Sequence, residues 1–126
     1  MKLRKVGMVI RVHGQSRTLL RQRRKIAAMS KESYVLSEIA DEDLGDIFDY
    51  SFAEFGIEQA KKYLYEIEEV FQNLLINPEL GKIRNEIKEG LYSFPKDNHF
   101  IFYRILENHI RIVRVLHGSR DIPKYF

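Results

Sequence analysis

The segment HFIFYRILENHIRIVRVLH, residues 99–117, constrains the fold most strongly, because large apolar side chains occupy both faces of any strand pair it forms. Asn108 tolerates a left-handed backbone, so Glu107-Asn108 predicts a two-residue turn between antiparallel strands. An antiparallel sheet with one face in water alternates apolar and polar residues along each strand. This segment does not alternate in that way, so both faces of the ribbon require a cover.

The turn also predicts which side chains share a face. A two-residue loop pairs Ile105 with Ile110 and Tyr103 with Ile112, and successive side chains then point to opposite faces. One face is predicted to carry Ile101, Tyr103, Ile105, Ile110, Ile112 and Leu116. The other is predicted to carry Phe100, Phe102, Val113 and Val115, flanked by Arg104, Arg111 and His117.

The preceding residues predict a strand and two helices. SYVLS is a short strand, and Ser37 is a suitable N-cap for a helix whose first turns are acidic and whose apolar stripe extends to Phe55. Gly56 ends that helix, and a second helix with apolar residues at i, i+3, i+4 and i+7 continues to Asn77-Pro78. KIRNEI is a weak edge strand, and LYSF is a strand that Pro95 should end.

This order predicts an α+β fold: an N-terminal strand, a two-helix hairpin, and then a three- or four-stranded antiparallel sheet with the helices on one face. Two helices can cover only one face of that sheet. Residues 1–28, the C-terminal IPKYF or a second copy of the chain could cover the other. We favour a docking groove for another protein, because large contiguous apolar patches usually mark interaction sites, with IPKYF covering part of it.

Charge separates the chain into two parts. Residues 1–28 contain nine Lys and Arg and no acid, whereas the rest of the chain has 12 basic and 18 acidic residues, a net charge of −6. We interpret residues 1–28 as a basic extension that could lie upstream of a true start at Met29, and 29–126 as the folded domain. A nucleic-acid-binding arm and a transit peptide are the alternatives for this segment.

Several classes of site are not expected. The chain has no cysteine, which excludes disulfides and cysteine-ligated zinc. His99 and His109 are too scattered for a metal site, no glycine-rich phosphate loop is present, and we expect no metal and no cofactor. No run approaches the ~18 apolar residues of a membrane span, so we expect a soluble protein, and the lack of cysteine fits a reducing cytoplasm. The acidic residues of the first helix are predicted to be a solvated face: Asp41, Glu42, Asp43, Asp46 and Asp49.

Four segments, in order and spacing, carry a resemblance to a known family: YVLSEIADEDLGDIFDYSFAEFGIEQAKKYL, NPELGKIRNEIKEGLYSFP, NHFIFYRI and IRIVRVLHGSRD. From about Tyr34 to Asp121 the chain resembles the ParE toxins of the RelE/ParE superfamily of bacterial toxin–antitoxin modules. The resemblance implies a toxin that a ParD-like antitoxin neutralises and that inhibits DNA gyrase and blocks replication. Residues 1–28 lie outside it.

The resemblance also implies two sets of binding residues. The family's antitoxin wraps the toxin along its helices and sheet, which gives as antitoxin-binding candidates Phe100, Phe102, Arg104, Arg111, Val113 and Val115. The family's C-terminal region is implicated in acting on gyrase, which gives as target-binding candidates His117, Arg120, Asp121, Lys124 and Tyr125.

The main alternative is a ribosome-dependent messenger RNA endonuclease, like the RelE relatives. Such cleavage needs an acid, a base and a cation for the phosphate. His117 could be the acid or base. However, Phe100 stands where the endonuclease branch usually has an arginine, and Gly118 where some members have a tyrosine. We therefore assign no catalytic residue and expect a toxin that is not an enzyme.

A third possibility is a non-toxic module that binds nucleic acid or protein. Arg104, Arg111, Arg114 and Arg120 are interleaved with aromatic residues that could stack on bases. The net charge of −6 outside residues 1–28 argues against this. We expect no sequence-specific DNA binding by the toxin alone.

Overall fold

The computed structural model describes Lys31 and residues 33–126, in which two helices pack on one face of a five-stranded sheet. The predicted basic extension, residues 1–28, lies outside the described residues. The helices are α1 (Glu38–Phe55) and α2 (Ile57–Ile76), and short 3-10 helices cover Pro78–Leu80 and Ile122–Tyr125. The strands are β1 (Ser33–Leu36), β2 (Lys82–Ile83), β3 (Tyr92–Lys96), β4 (His99–Ile105) and β5 (His109–His117).

The strand order is β1-β5-β4-β3-β2, and the predicted α+β fold is confirmed. Strands β2 to β5 are antiparallel, as expected, and β1 joins the sheet parallel to β5. Pro95 lies inside β3 and does not end it. A proline is tolerated there because β2 pairs only with Tyr92 and Ser93 and leaves β3 without a neighbour on that side at Pro95.

Local side-chain chemistry fixes the ends of both helices. Ser37 is the predicted N-cap: its Oγ accepts a hydrogen bond from the Ala40 backbone N–H at 2.9 Å and donates one to the Val113 carbonyl at 2.9 Å. The cap therefore also joins the start of α1 to β5. Gly56 has a φ of 91°, which only glycine adopts without strain, and this allows α2 to begin directly after α1.

A β-bulge changes the predicted pairing of β4 with β5. Ile105 pairs with Ile110 and Tyr103 with Ile112 as expected, but Val113 is then skipped and Phe102 pairs with Arg114. The extra residue in β5 reverses the alternation of side chains beyond it. The sequence-based assignment of two residues is therefore wrong: Val115 lies in the core beneath the helices, and Leu116 lies on the opposite face.

The chain's own C-terminus covers the centre of that opposite face. Phe102 and Leu116 are 0% and 4% exposed, and they pack with Leu91 against the last residues of the chain: Ile122, Tyr125 and Phe126. The Phe126 ring lies edge-on to the Phe102 ring, with centroids 5.0 Å apart. An antitoxin segment cannot reach Phe102 while these residues are in place, so the expected docking groove is closed at its centre.

Candidate functional site

A cleft of about 1090 Å³ opens between the helical hairpin and the end of the sheet where β4 begins and β5 ends. We call it the hairpin cleft. The helices contribute Asp43, Asp46, Tyr50, Phe55 and Tyr63 to its lining. The sheet and the C-terminal tail (residues 118–126) contribute His99, Arg114, His117, Arg120 and Tyr125.

The hairpin cleft brings together three of the five target-binding candidates. His117 is the last residue of β5, and Arg120 and Tyr125 follow it in the tail, so all three line the same wall. Asp121 and Lys124 are exposed and form an ion pair with N–O distance 4.0 Å. The role of these five residues in target binding stays a prediction.

The sequence suggested that Asp43 belongs to a solvated helix face, and this prediction is wrong. Asp43 is 9% exposed and bonded to β5. Its Oδ1 accepts from Arg114 Nη2 at 2.8 Å, and its Oδ2 accepts from Arg114 Nε at 2.9 Å and from the Val115 backbone N–H at 3.0 Å. Since β1 pairs with β5 only as far as Ile112, the carboxylate replaces a neighbouring strand as the acceptor on this edge. The bonds to Asp43 raise the pKa of Arg114.

Arg114 also contacts the tail. Its guanidinium carbon lies 5.2 Å from the centroid of the Tyr125 ring, and that of Arg120 lies 5.8 Å from the same centroid. Arg120 Nη1 in addition donates a hydrogen bond to the Tyr125 hydroxyl at 2.9 Å. The sequence suggested for Arg114 only a place on a possible nucleic-acid surface, because Asp43, to which it is bonded, is 71 residues away and no local pattern marks the bond.

Two histidines meet in the lining of the hairpin cleft. His99 and His117 are register partners at the open end of β4 and β5, and their ring centroids lie 5.3 Å apart. His99 Nδ1 lies 2.8 Å from the Tyr63 hydroxyl, whereas His117 Nδ1 accepts from the Ser119 backbone N–H at 3.1 Å. Burial, and then the nearby His117, lower the pKa of His99.

The lowered pKa of His99 predicts a pH-dependent stability. Below the ordinary histidine pKa of about 6.5, the unfolded chain binds a proton that the folded protein resists, so stability present above that pH decreases as the pH falls through it. We expect a lower melting temperature near pH 5 than near pH 7.5, and a smaller difference in His99→Gln. Circular dichroism melts at several pH values measure both, and an undiminished difference in His99→Gln would contradict the prediction.

The two departures from the endonuclease pattern are neighbours in space. A Cβ added to Gly118 would lie 3.3 Å from the Phe100 ring, so a side chain at residue 118 would press on that ring. Phe100 in turn packs on Phe102, with ring centroids 6.2 Å apart. Phe100 and Gly118 are thus in contact distance of each other at the end of the sheet where β4 begins.

The antitoxin-binding candidates do not form one accessible surface. Phe100 and Val113 are partly buried at the rim of the tail-covered face, and Arg111 is exposed. Arg104 donates a hydrogen bond to the Glu89 carbonyl at 3.0 Å. Phe102 is 0% exposed beneath the tail, and Val115 is 2% exposed in the helix-side core. Only the first four can meet a partner in this conformation.

The helical hairpin carries an apolar surface that the sequence placed in the core. The apolar stripe of α1 was expected to extend to Phe55, but Phe52 and Phe55 are 51% and 65% exposed, and Tyr50 is 64% exposed. Residues 52–59, at the junction of the two helices, are all exposed, although the Phe52 ring stacks on Phe48 with centroids 6.2 Å apart. We call Tyr50, Phe52, Phe55 and Ile57 the hairpin patch.

Neither a cluster of metal ligands nor a membrane-spanning helix is found in Lys31 and residues 33–126. In that part of the chain, no three His, Cys, Asp or Glu side chains are grouped so as to hold a metal ion. No helix in the same range combines the length and the apolar composition that crossing a membrane requires.

Comparison with known proteins identifies relatives in sequence and in structure. The model of the ParE toxin of type II toxin–antitoxin systems, parDE, matches residues 34–122. Toxin ParE1 of Mycobacterium tuberculosis is 34% identical over 92 residues, which cover 72% of this chain and 94% of the relative. Toxin ParE1 of Caulobacter vibrioides is 34% identical over 88 residues, or 70% of this chain and 91% of the relative.

The fold resembles toxins of solved toxin–antitoxin complexes. A chain of the chromosomal ParDE system from P. aeruginosa has a TM-score of 0.62 and 22% identity over 69% of this chain and 96% of that chain. A chain of the RelBE2 complex of Mycobacterium tuberculosis has a TM-score of 0.51 and 22% identity over 68% and 95%. The family model and the sequence relatives together show that this chain belongs to the ParE toxin family of type II toxin–antitoxin systems.

Proposed function

We propose that a ParD-like antitoxin neutralises this toxin and that the free toxin acts in the cytoplasm by binding DNA gyrase and blocking replication. The observation that carries the proposal is the match of the ParE toxin model to residues 34–122, which include both helices and nearly the whole sheet. The solved structural neighbour belongs to a chromosomal ParDE system from P. aeruginosa, which supports an antitoxin partner.

For the antitoxin we propose a contact that runs from the hairpin patch to the rim of the sheet. The hairpin patch presents exposed aromatic rings, and apolar surface of this kind favours burial against a partner. At the rim, Phe100 and Val113 supply apolar contacts, and Arg104 and Arg111 supply cations. Phe102 joins this surface only if the antitoxin displaces the tail.

For the target we propose the tail wall of the hairpin cleft. His117, Arg120 and Tyr125 line it, and Asp121 and Lys124 lie on the adjoining exposed turn. These side chains offer hydrogen-bond donors, a cation and an aromatic surface, which suit recognition of another macromolecule. In this proposal they bind the target and do not transform it.

The test is a gyrase assay with purified full-length protein and supercoiled plasmid. We expect the toxin to increase covalently trapped, cleaved DNA, and we expect the antitoxin encoded beside it to abolish the effect. The double variant Arg120→Ala, Tyr125→Ala should retain antitoxin binding and lose trapping. Unchanged gyrase activity at saturating wild-type toxin would contradict the choice of target.

The pairing of His99 with His117 in a cleft favours one alternative, messenger RNA cleavage, because two imidazoles can serve as acid and base. We nevertheless expect no cleavage on translating ribosomes, because Phe100 stands where the endonuclease branch usually has an arginine and Gly118 where some members have a tyrosine. Primer extension on messenger RNA after toxin induction measures this. Codon-linked cuts that disappear in His117→Ala would make the endonuclease the better account.

A further inference from the structure

We infer that Asp43 and Arg114 are positioning residues for target binding, because they hold the tail at the hairpin cleft through the ring of Tyr125. The inference rests on the proposed role of the tail in binding the target. Neither residue was among the target-binding candidates, and neither belongs to the tail.

Asp43 holds the side chain of Arg114 in a fixed orientation. The two parallel hydrogen bonds to Asp43, 2.8 and 2.9 Å long, fix the guanidinium in one plane. The side chains of Arg114 and Asp43 are only 16% and 11% exposed, so water competes weakly for these bonds. The third bond, from the Val115 N–H, attaches the carboxylate itself to β5. Arg114 therefore presents a fixed cationic surface at the sheet edge.

Contacts of Tyr125 and Phe126 hold the end of the tail on the domain. Within residues 33–126, the backbone–backbone bonds recorded for residues 119–126 remain local: Arg120 to His117, Lys124 to Asp121 and Phe126 to Pro123. At the start of the tail, the Gly118 N–H donates to the Asn98 carbonyl at 2.8 Å, and beyond Gly118 the tail is placed on the domain by side chains. Phe126 packs on Phe102, and Tyr125 lies against the guanidiniums of Arg114 and Arg120.

Tyr125 connects Arg114 with Arg120. Tyr125 binds Arg114 with its ring and Arg120 with its hydroxyl, so the ring transfers the fixed position of Arg114 to Arg120. Arg120 is exposed and is the cation that the proposal assigns to the target. Loss of the fork between Asp43 and Arg114 should leave the domain folded but release Tyr125 and with it Arg120.

The test uses the absence of tryptophan from the chain. Tyr125→Trp in the full-length protein introduces a single fluorescent reporter that keeps a ring for Arg114 to contact. Into this background are placed Arg114→Lys, which keeps the charge but loses the fork, and Asp43→Asn. Glu54→Gln is the matched control, because it removes the same charge from an exposed position of the same helix outside the hairpin cleft.

We expect Arg114→Lys and Asp43→Asn to increase acrylamide quenching of the introduced tryptophan. Weakening of the cation–π contact should raise the fraction of molecules with an undocked tail by about two- to thirtyfold. Glu54→Gln should match the parent. Circular dichroism must show a folded domain at the measuring temperature, and Arg114→Lys provides the result if Asp43→Asn does not fold. Quenching equal to the parent in folded Arg114→Lys would overturn the inference.

Target binding is measured in parallel, as gyrase trapping and antitoxin affinity, with Arg114→Lys and Asp43→Asn placed in the otherwise wild-type chain, because Tyr125→Trp removes the hydroxyl that accepts from Arg120. We expect trapping to fall with the released tail while antitoxin affinity is retained. A released tail with undiminished trapping would overturn the link between positioning and target binding, while gyrase poisoning itself would stand. If the wild type fails to trap gyrase, the proposed function fails, and the quenching data still decide whether Asp43 and Arg114 hold the tail.

Discussion

Phe102→Ala is expected to reduce the free energy of unfolding by about 3–5 kcal/mol, the range for truncating a buried phenylalanine. Phe102 is 0% exposed and contacts Leu116 and the tail ring of Phe126, so its removal leaves a cavity and releases the cover of this face. Phe102→Asp should be worse, because it buries a carboxylate without a partner. We expect that variant to be insoluble.

Urea denaturation of Phe102→Ala beside Phe52→Ala measures the effect. Phe52 is 51% exposed in the hairpin patch, so its truncation should change the midpoint far less. Because the hairpin patch is a proposed antitoxin contact, Phe52→Ala should weaken antitoxin binding while leaving stability nearly intact. Equal losses of stability in the two variants would show that the face beneath the tail contributes little to the fold.

Truncation after Asp121 is expected to destabilise the domain and to abolish gyrase trapping together. It removes Ile122, Tyr125 and Phe126, the residues that cover Phe102 and Leu116, and so exposes a contiguous apolar surface. We expect a lower urea midpoint and a tendency to aggregate. Lys124→Ala is the control for stability, because that side chain is exposed.

The truncation alone cannot separate covering the sheet from binding the target, since the removed segment does both in our proposal. Arg120→Ala separates them, because Arg120 is exposed and lies outside the apolar cluster. It should leave the urea midpoint almost unchanged and still reduce trapping. A truncated protein with the full-length midpoint would show that the tail is not part of the core.

The helical hairpin and the strands could be predicted because their signals are local. Ser37 caps α1 through an oxygen three residues from the amide it binds, and Gly56 ends α1 because of its own backbone freedom. The turn at Glu107-Asn108 likewise sets the first pairs of β4 with β5. The family resemblance added the expectation of a toxin, and the ParE match confirmed it.

The sites were less predictable because they depend on residues far apart in the chain. The bulge at Val113 exchanged the predicted faces of Val115 and Leu116, and no local signal in IRIVRV marks this bulge. The pairing of His99 with His117 follows from the register that this bulge creates. The fork between Asp43 and Arg114 joins α1 to β5, and the charge pattern of α1 alone suggested a solvated face.

The sequence by itself determined the order of elements, the two apolar faces of the β4–β5 ribbon and the need to cover both. It could not determine what covers the second face. The hydrophobic effect is non-directional, so a tail, a second copy and a partner protein could each bury that apolar surface. Only the tertiary structure decided for the tail, by bringing Phe126 onto Phe102 and Tyr125 onto Arg114. Those contacts join residues well separated in the chain, whose meeting depends on where β5 ends and turns back, which the folded sheet alone defines.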